Sequence, residues 1–221
     1  FIKNLEINKK FDDYISYLII GIIVGGRLGY IVFYNFNYYL NNILDIFKIW
    51  EGGMSFHGGL IGVICVSIVF AKKNKQDYFL YTDVVALAAP IGIFFGRLAN
   101  FVNSELYGSP TEVPWAVTFV QVDNLSRHPS QLYEAVLEGI ILFLILIYFR
   151  KKNYLEKPGL ISALFLILYS IFRFIVEFFR VPDEQLGYLI LSLSMGQIIS
   201  LIFIIFGIIL FYVKNENKQI N

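Results

Sequence analysis

The sequence predicts an all-α, polytopic bundle of transmembrane helices, and three observations carry that prediction. Hydrophobic residues make up 57% of the 221 positions and charged residues only 16%, with a mean hydropathy of +0.64; a soluble domain needs more charge on its surface. Six stretches approach or exceed the roughly 20 apolar residues that one helical crossing of a hydrocarbon core requires. Lysine and arginine gather in alternate loops, the asymmetry that orients membrane proteins. The net charge of +1 adds nothing to this, because placement of charge decides topology and the sum does not. The single cysteine, Cys65, excludes an internal disulfide and any multi-cysteine metal cluster. No cofactor, metal or nucleic-acid partner is expected.

The predicted spans run from Tyr14 to Tyr34, Met54 to Ala71, Leu80 to Asn103, Ser130 to Phe149, Gly159 to Phe179 and Tyr188 to Val213. The first follows Lys9 and Lys10. The second is short and stops at Lys72, Lys73 and Lys75. The third leaves the bilayer through "GRLANFVNSELYG", residues 96–108. The fourth ends at Arg150, Lys151 and Lys152; the fifth starts beyond Lys157; the sixth ends at Lys214. With Lys3 and Lys218, twelve basic residues lie on one side, against Lys48, Arg127 and Arg180 on the other. Both ends of the chain are therefore expected in the cytoplasm. Trp50 and Trp115, with Tyr38 and Tyr39, fit an aromatic belt on the outer face. No signal-peptide pattern is expected at the start. No internal repeat or linker divides the chain, so residues 1–221 are read as one integral membrane domain.

Three arginines, Arg27, Arg97 and Arg173, fall inside predicted spans, each in the outer half of its helix. A guanidinium there costs a few kcal/mol or more, so it is expected to face the bundle interior and have an anionic partner. "RFIVEFFR" (173–180) places Arg173, Glu177 and Arg180 on one helical face, and Arg97 shares a face with Asn100. One glutamate cannot neutralise the set, and fixed guanidiniums suit a phosphate because they stay charged and bind bidentately. In a membrane the obvious phosphate is a phospholipid headgroup. Plainer readings stand beside this one: Arg173 with Glu177 as a structural ion pair, Arg27 snorkelling to the interface, His57 as an ordinary interfacial histidine. Cys65, among Ile and Val, reads as a small buried residue. The pairs Gly25 and Gly29, Gly58 and Gly62, and Gly92 and Gly96 match the small-xxx-small spacing of close helix contacts. The rival function is a membrane transporter or binding protein for an anionic lipid or solute, which would favour broken midplane helices and inverted repeats; neither is visible.

The blocks "GGMSFHGGLIG" (52–62), "GRLANFVNSELYG" (96–108), "RHPSQLYE" (127–134) and "YSIFRFIVEFFRVPD" (169–183) together resemble the prolipoprotein diacylglyceryl transferases of bacterial inner membranes. They occur in that family's order and cover essentially the whole chain. The resemblance implies a transferase that moves the diacylglyceryl group of phosphatidylglycerol to the lipobox cysteine of a prolipoprotein signal peptide, at the outer face of the inner (cytoplasmic) membrane. It implies Arg97 as ligand of the headgroup phosphate, Asn100, Glu105 and Gly108 as the rest of that motif, and Arg173 with Glu177 as a second essential pair. It marks His57 and Tyr169, with Arg173, as catalytic candidates; Arg180 and Arg27 complete the expected binding residues. It also implies seven spans, one of them preceding Phe1 and carrying a functional tyrosine.

The orientation is directly testable. In a Cys65→Ala background, cysteine placed at Thr111 should react with an impermeant thiol reagent added outside intact cells, and cysteine at Asn74 should not. The reverse pattern would invert the topology.

Overall fold

A peptide group in hydrocarbon has no water to bond, so apolar segments satisfy their backbones internally, as helices. The computed structural model describes residues 5–152, 154, 157–181 and 193–216, and omits the side chains of 5–9, 56 and 57. Its helices are α1 (Leu5–Tyr34), α2 (Phe36–Asn41), α3 (Phe56–Asn74), α4 (Tyr78–Val102), α5 (Ser130–Lys151), α6 (Leu160–Val176) and α7 (Met195–Glu216). A two-stranded sheet, β1 (Val117–Thr118) with β2 (Ser126–Arg127), lies in the connection between α4 and α5. Among the described residues five helical segments are long and apolar enough to cross a membrane: Lys10–Tyr34, Tyr78–Val102, Ser130–Lys151, Leu160–Phe179 and Met195–Glu216. The predicted second span forms α3, 19 residues long, and its crossing stays a proposal. The start of the predicted sixth span, residues 188–192, lies outside the described residues.

The chain gathers into two compact units, Phe1–Tyr81 and Thr82–Asn221. In the first, α1 and α3 meet through glycines. A Cβ on Gly25 would sit 2.5 Å from the Gly58 carbonyl oxygen, and one on Gly62 only 2.0 Å from that of Gly21. Two of the three predicted small-residue pairs therefore serve one helix contact. The third is not seen to do so: among the described residues a Cβ on Gly92 or Gly96 would meet nothing within 4 Å. Below the glycine seam, Tyr14 is fully buried against Phe70 and Tyr81, its hydroxyl 2.7 Å from Ser67 Oγ. Ser55 caps α3 by accepting the Gly58 N–H at 3.2 Å, and Lys75 ends the helix in the left-handed region (φ 53°). Cys65 is exposed on α3. The expectation of a buried cysteine is corrected: Cys65 is exposed among the described residues, and an apolar residue at such a position suits lipid.

In the second unit, the feet of α4 and α6 are tied together. Asp83, fully buried, accepts the Gly159 N–H at 2.8 Å and the Ser162 N–H at 2.7 Å, capping α6 from the neighbouring helix. The two helices thus run in the same direction from a common base. Arg97 lies fourteen residues beyond Asp83, and Arg173 fourteen beyond Gly159. At about 1.5 Å per residue both guanidiniums stand about 21 Å up the bundle. Alternating with them, α5 descends, its Leu142 and Leu146 fully buried with Ile161 and Ala86 in the apolar core beneath the arginines. Gly139 of α5 allows close approach to α4, since a Cβ there would fall 2.8 Å from Phe94 Cβ. Ser194 and Gln197 form a reciprocal capping box at the start of α7, Gln197 N–H to Ser194 Oγ at 3.2 Å and Ser194 N–H to Gln197 Oε1 at 3.0 Å.

The glycine seam supplies a paired test. Gly62→Val should lower the stability of the detergent-solubilised protein by about 1–3 kcal/mol or more through overpacking, whereas Gly92→Ala should change it by no more than about 1 kcal/mol. Thermal melting of both variants against the parent checks this.

Candidate functional site

The polar string that follows α4 is a helix stop. The Glu105 N–H bonds the Asn100 carbonyl at 2.8 Å and the Ser104 N–H bonds that of Phe101 at 3.2 Å, the two bonds of a Schellman motif. Its left-handed position is occupied by Ser104 (φ 57°) instead of glycine, and Leu106 (φ 54°) is left-handed as well. Two non-glycine residues in this region within three positions mark backbone held by its surroundings. The holding groups are visible. Gln131 donates to the Glu105 carbonyl at 2.7 Å and Ser130 to the Leu106 carbonyl at 3.1 Å, and both side chains are fully buried at the start of α5.

Gly108 has a steric reason to be glycine. A Cβ there would lie 2.3 Å from the His128 carbonyl oxygen and 2.7 Å from that of Phe179. Three backbone segments converge on it: its N–H bonds His128 O at 3.0 Å, the next N–H, of Ser109, bonds Phe179 O at 3.0 Å, and Arg127 donates to its carbonyl at 3.2 Å. Arg127 also pairs with Asp123 at 2.5 Å and covers the Tyr107 ring at 4.9 Å; its guanidinium holds the Asp123 carboxyl below the usual carboxylate range. Gly108 thus locks the loop after α4 to the segment that follows α6.

Above the apolar core the charged side chains assemble. Glu134, with no exposed surface, receives Arg97 Nε on one oxygen at 2.9 Å and Arg173 Nη1 on the other, with Arg180 Nη1 at 3.9 Å from the latter. Arg173 turns its second nitrogen to Glu177 at 2.7 Å, and Ser194 donates to Glu177 at 2.9 Å. Gly196 leaves the space, since a Cβ there would sit 2.8 Å from Glu177 Oε1. Glu138, also fully buried, stands one turn below Glu134, with Arg97 Nη2 at 3.8 Å. Glu138 lies in a stretch where α5 widens, the π-helix Ala135–Ile141, and Glu134 immediately precedes it; this rare winding recurs at functional sites. The arginine side chains are not sealed. The side chains of Arg97 and Arg173 keep 19% and 14% of their surface, so an anion can reach them.

The sequence-predicted residues fall into three groups. Arg97, Arg173, Glu177 and Arg180 are brought together, with Asn100 on the Arg97 face and Tyr169 one turn before Arg173. Tyr169 stacks on Phe165 at 5.5 Å and feels the charges of Glu138, Arg173 and Arg97. Glu105 and Gly108 shape the loop beside the cluster through their backbones, the Glu105 carboxylate being exposed. Arg27 and His57 belong to the first unit. His57 lies in the first turn of α3, and its side chain is outside the described residues. Arg27 is buried and gives all five of its N–H groups to loop carbonyls: Nε to Ile46, Nη1 to Gly52 and Gly53, Nη2 to Asp45 and Lys48, at 2.6–3.3 Å. So engaged, it has no donor left for a phosphate.

Glu134 and Glu138 were missed by sequence reasoning, which looked for the anionic partner of the arginines outside the protein. The signal was present: two acidic residues four apart in an otherwise apolar span. Fold and site together define a polytopic membrane protein with a buried arginine–glutamate cluster open to an anion. The chain belongs to the prolipoprotein diacylglyceryl transferase family, whose model matches residues 2–213. Among its relatives, a phosphatidylglycerol–prolipoprotein diacylglyceryl transferase of Rickettsia bellii is 51% identical over 213 residues, covering 96% of this chain and 81% of that protein. Proteins of the same name from Rhodospirillum rubrum and Aeromonas hydrophila are 50% and 49% identical over 211 residues, covering 95% and 96% of this chain and 77% and 76% of theirs.

Because Glu134 is buried and serves two helices, Glu134→Ala should strand like charges and lower stability by about 3–5 kcal/mol, read as a fall in melting temperature in detergent. Loss of less than about 1 kcal/mol would mean the pairs contribute little.

Proposed function

We propose that this chain transfers the diacylglyceryl group of phosphatidylglycerol to the lipobox cysteine thiol of a prolipoprotein, forming a thioether and releasing glycerol phosphate. Membership of the family and the shared name of its relatives support the reaction class. The observation that carries the site is the convergence of Arg97, Arg173 and Arg180 on buried Glu134, with part of each arginine side chain left exposed. The family resemblance supports a reaction at the outer face of the bacterial inner membrane, and the charge asymmetry supports an external loop after α4.

The chemistry follows from these parts. Sulfur attacks the glyceryl carbon that bears the phosphate ester; the new C–S bond takes its electron pair from sulfur, and the C–O pair leaves with the phosphate. Charge accumulates on that phosphate in the transition state, and guanidiniums already fixed by Glu134 and Glu177 stabilise it without reorganising. Arg97 and Arg173 hold the phosphate, with Asn100 and Arg180 beside them. Tyr169 orders the Arg173 turn. Glu105 and Gly108 set the loop, and Arg27 orders the loop of its own unit. The nucleophile is a thiolate, and His57 is the proposed base.

The test is transfer of labelled diacylglycerol from phosphatidylglycerol liposomes to a lipobox peptide by the intact protein. Arg97→Lys keeps the charge and loses the planar fork, so transfer should fall at least about 100-fold, on the scale of removing an oxyanion-stabilising donor, while the protein still inserts. Cys65→Ala should transfer as well as the parent. Near-parental transfer by Arg97→Ala would remove that residue from the site, and anion flux without lipid transfer would favour a transporter.

A further inference from the structure

Among the described residues the cluster holds three guanidiniums, Arg97, Arg173 and Arg180, and three carboxylates, Glu134, Glu138 and Glu177, all below 20% exposure. Fully ionised, it carries no net charge. A phosphodiester monoanion entering such a site meets two buried carboxylates at close range, and at low dielectric an uncompensated charge is costly. Admission of the anion is therefore easiest if one carboxylate is neutralised as it arrives. The three are not equivalent. Glu134 is held by Arg97 and Arg173, and Glu177 by Arg173 and the Ser194 hydroxyl. Neither oxygen of Glu138 accepts a hydrogen bond among the described residues. Its nearest cation is Arg97 Nη2 at 3.8 Å, and its neighbour one turn up the helix is the like charge of Glu134.

We propose that Glu138 is the proton-binding residue of the cluster: it takes up a proton when the anionic phosphate of a lipid binds to the arginines, so that the site receives anion and proton together. The inference rests on the reading of the cluster as a phosphate site. Protonation of Glu138 removes the carboxylate that competes with the ligand for Arg97 Nη2, while Arg97 stays fixed by Glu134 through Nε, and it removes the like charge one turn below Glu134. The charged and titratable groups that act on Glu138 are Arg97 of α4, Glu134 of its own helix, Tyr169 and Arg173 of α6, and Arg180 just beyond. Glu177 shares Arg173 with Glu134, so the titration belongs to the coupled set, with Glu138 as the site of the proton.

The experiment is calorimetric titration of the intact protein in detergent with a short-chain phosphatidylglycerol, in two buffers of different ionisation enthalpy and across pH. The parent should take up about one proton per lipid on the alkaline side of the midpoint, where its affinity should fall about tenfold per pH unit. Glu138→Gln, a stand-in for the protonated acid, should bind with little proton uptake and a nearly flat pH profile. A purely structural Glu138 would leave the slope unchanged. Binding by the parent without proton uptake overturns the proposal and leaves the phosphate site standing; no binding of the lipid at all overturns both. The same holds against the proposal if Glu138→Gln keeps the parental slope. Should the glutamine variant fail to insert, Glu138→Asp decides: a shifted midpoint supports the assignment, and an unchanged one places the proton elsewhere.

Discussion

The second unit depends on one buried carboxylate. Glu134 of α5 pairs with Arg97 of α4 and Arg173 of α6, so its two oxygens face different helices. A single anion shared between two guanidiniums fixes both in direction and height, because removing either partner leaves a buried charge without compensation. The rotation of α5 that this requires also aims Ser130 and Gln131 at the carbonyls of Leu106 and Glu105. The exit of the chain from α4, with its two left-handed non-glycine residues, is thus held by the same helix that neutralises Arg97.

Height is set from the other end. Asp83 caps α6 from α4, so two parallel helices start level and their arginines finish level. Between foot and cluster lies a largely apolar core of leucine, isoleucine and aromatic side chains, and among the described residues the guanidiniums pair with the glutamates above it. Arginine suits this arrangement better than lysine would. One guanidinium offers several donors in a plane, so Arg173 can serve Glu134 and Glu177 at once.

Arg27 shows how far the same residue type can diverge in use. It too lies in a membrane span, yet it is satisfied entirely by backbone carbonyls of the loop that follows α1, with the Tyr39 ring beside it at 5.2 Å. Its hydrogen bonds tie that loop to its own helix. Position in a span identifies an arginine that needs a partner; whether the partner is a carboxylate, a loop or a ligand is a matter of what the neighbouring chain brings to it.

Much was legible in the sequence because the membrane makes local composition decisive. Apolar length dictated the helices, basic loops dictated the predicted orientation, and the spacing of Gly25, Gly29, Gly58 and Gly62 announced a close helix contact. Arg97, Arg173, Glu177 and Arg180 were recognisable as a charged set, since charge inside a span is too expensive to be incidental. What the sequence left open was pairing. Glu134 and Glu138 stand 37 and 41 positions from Arg97 and 39 and 35 from Arg173, and no periodicity links residues on different helices. Only the parallel setting of α4 and α6, with α5 packed against both, decided that the arginines already possess buried anions, that Gly108 is glycine because three backbones meet there, and that Gly92 and Gly96 meet no neighbour among the described residues. Local physics along one helix fixes which residues must find partners, and packing between helices fixes which partners they find.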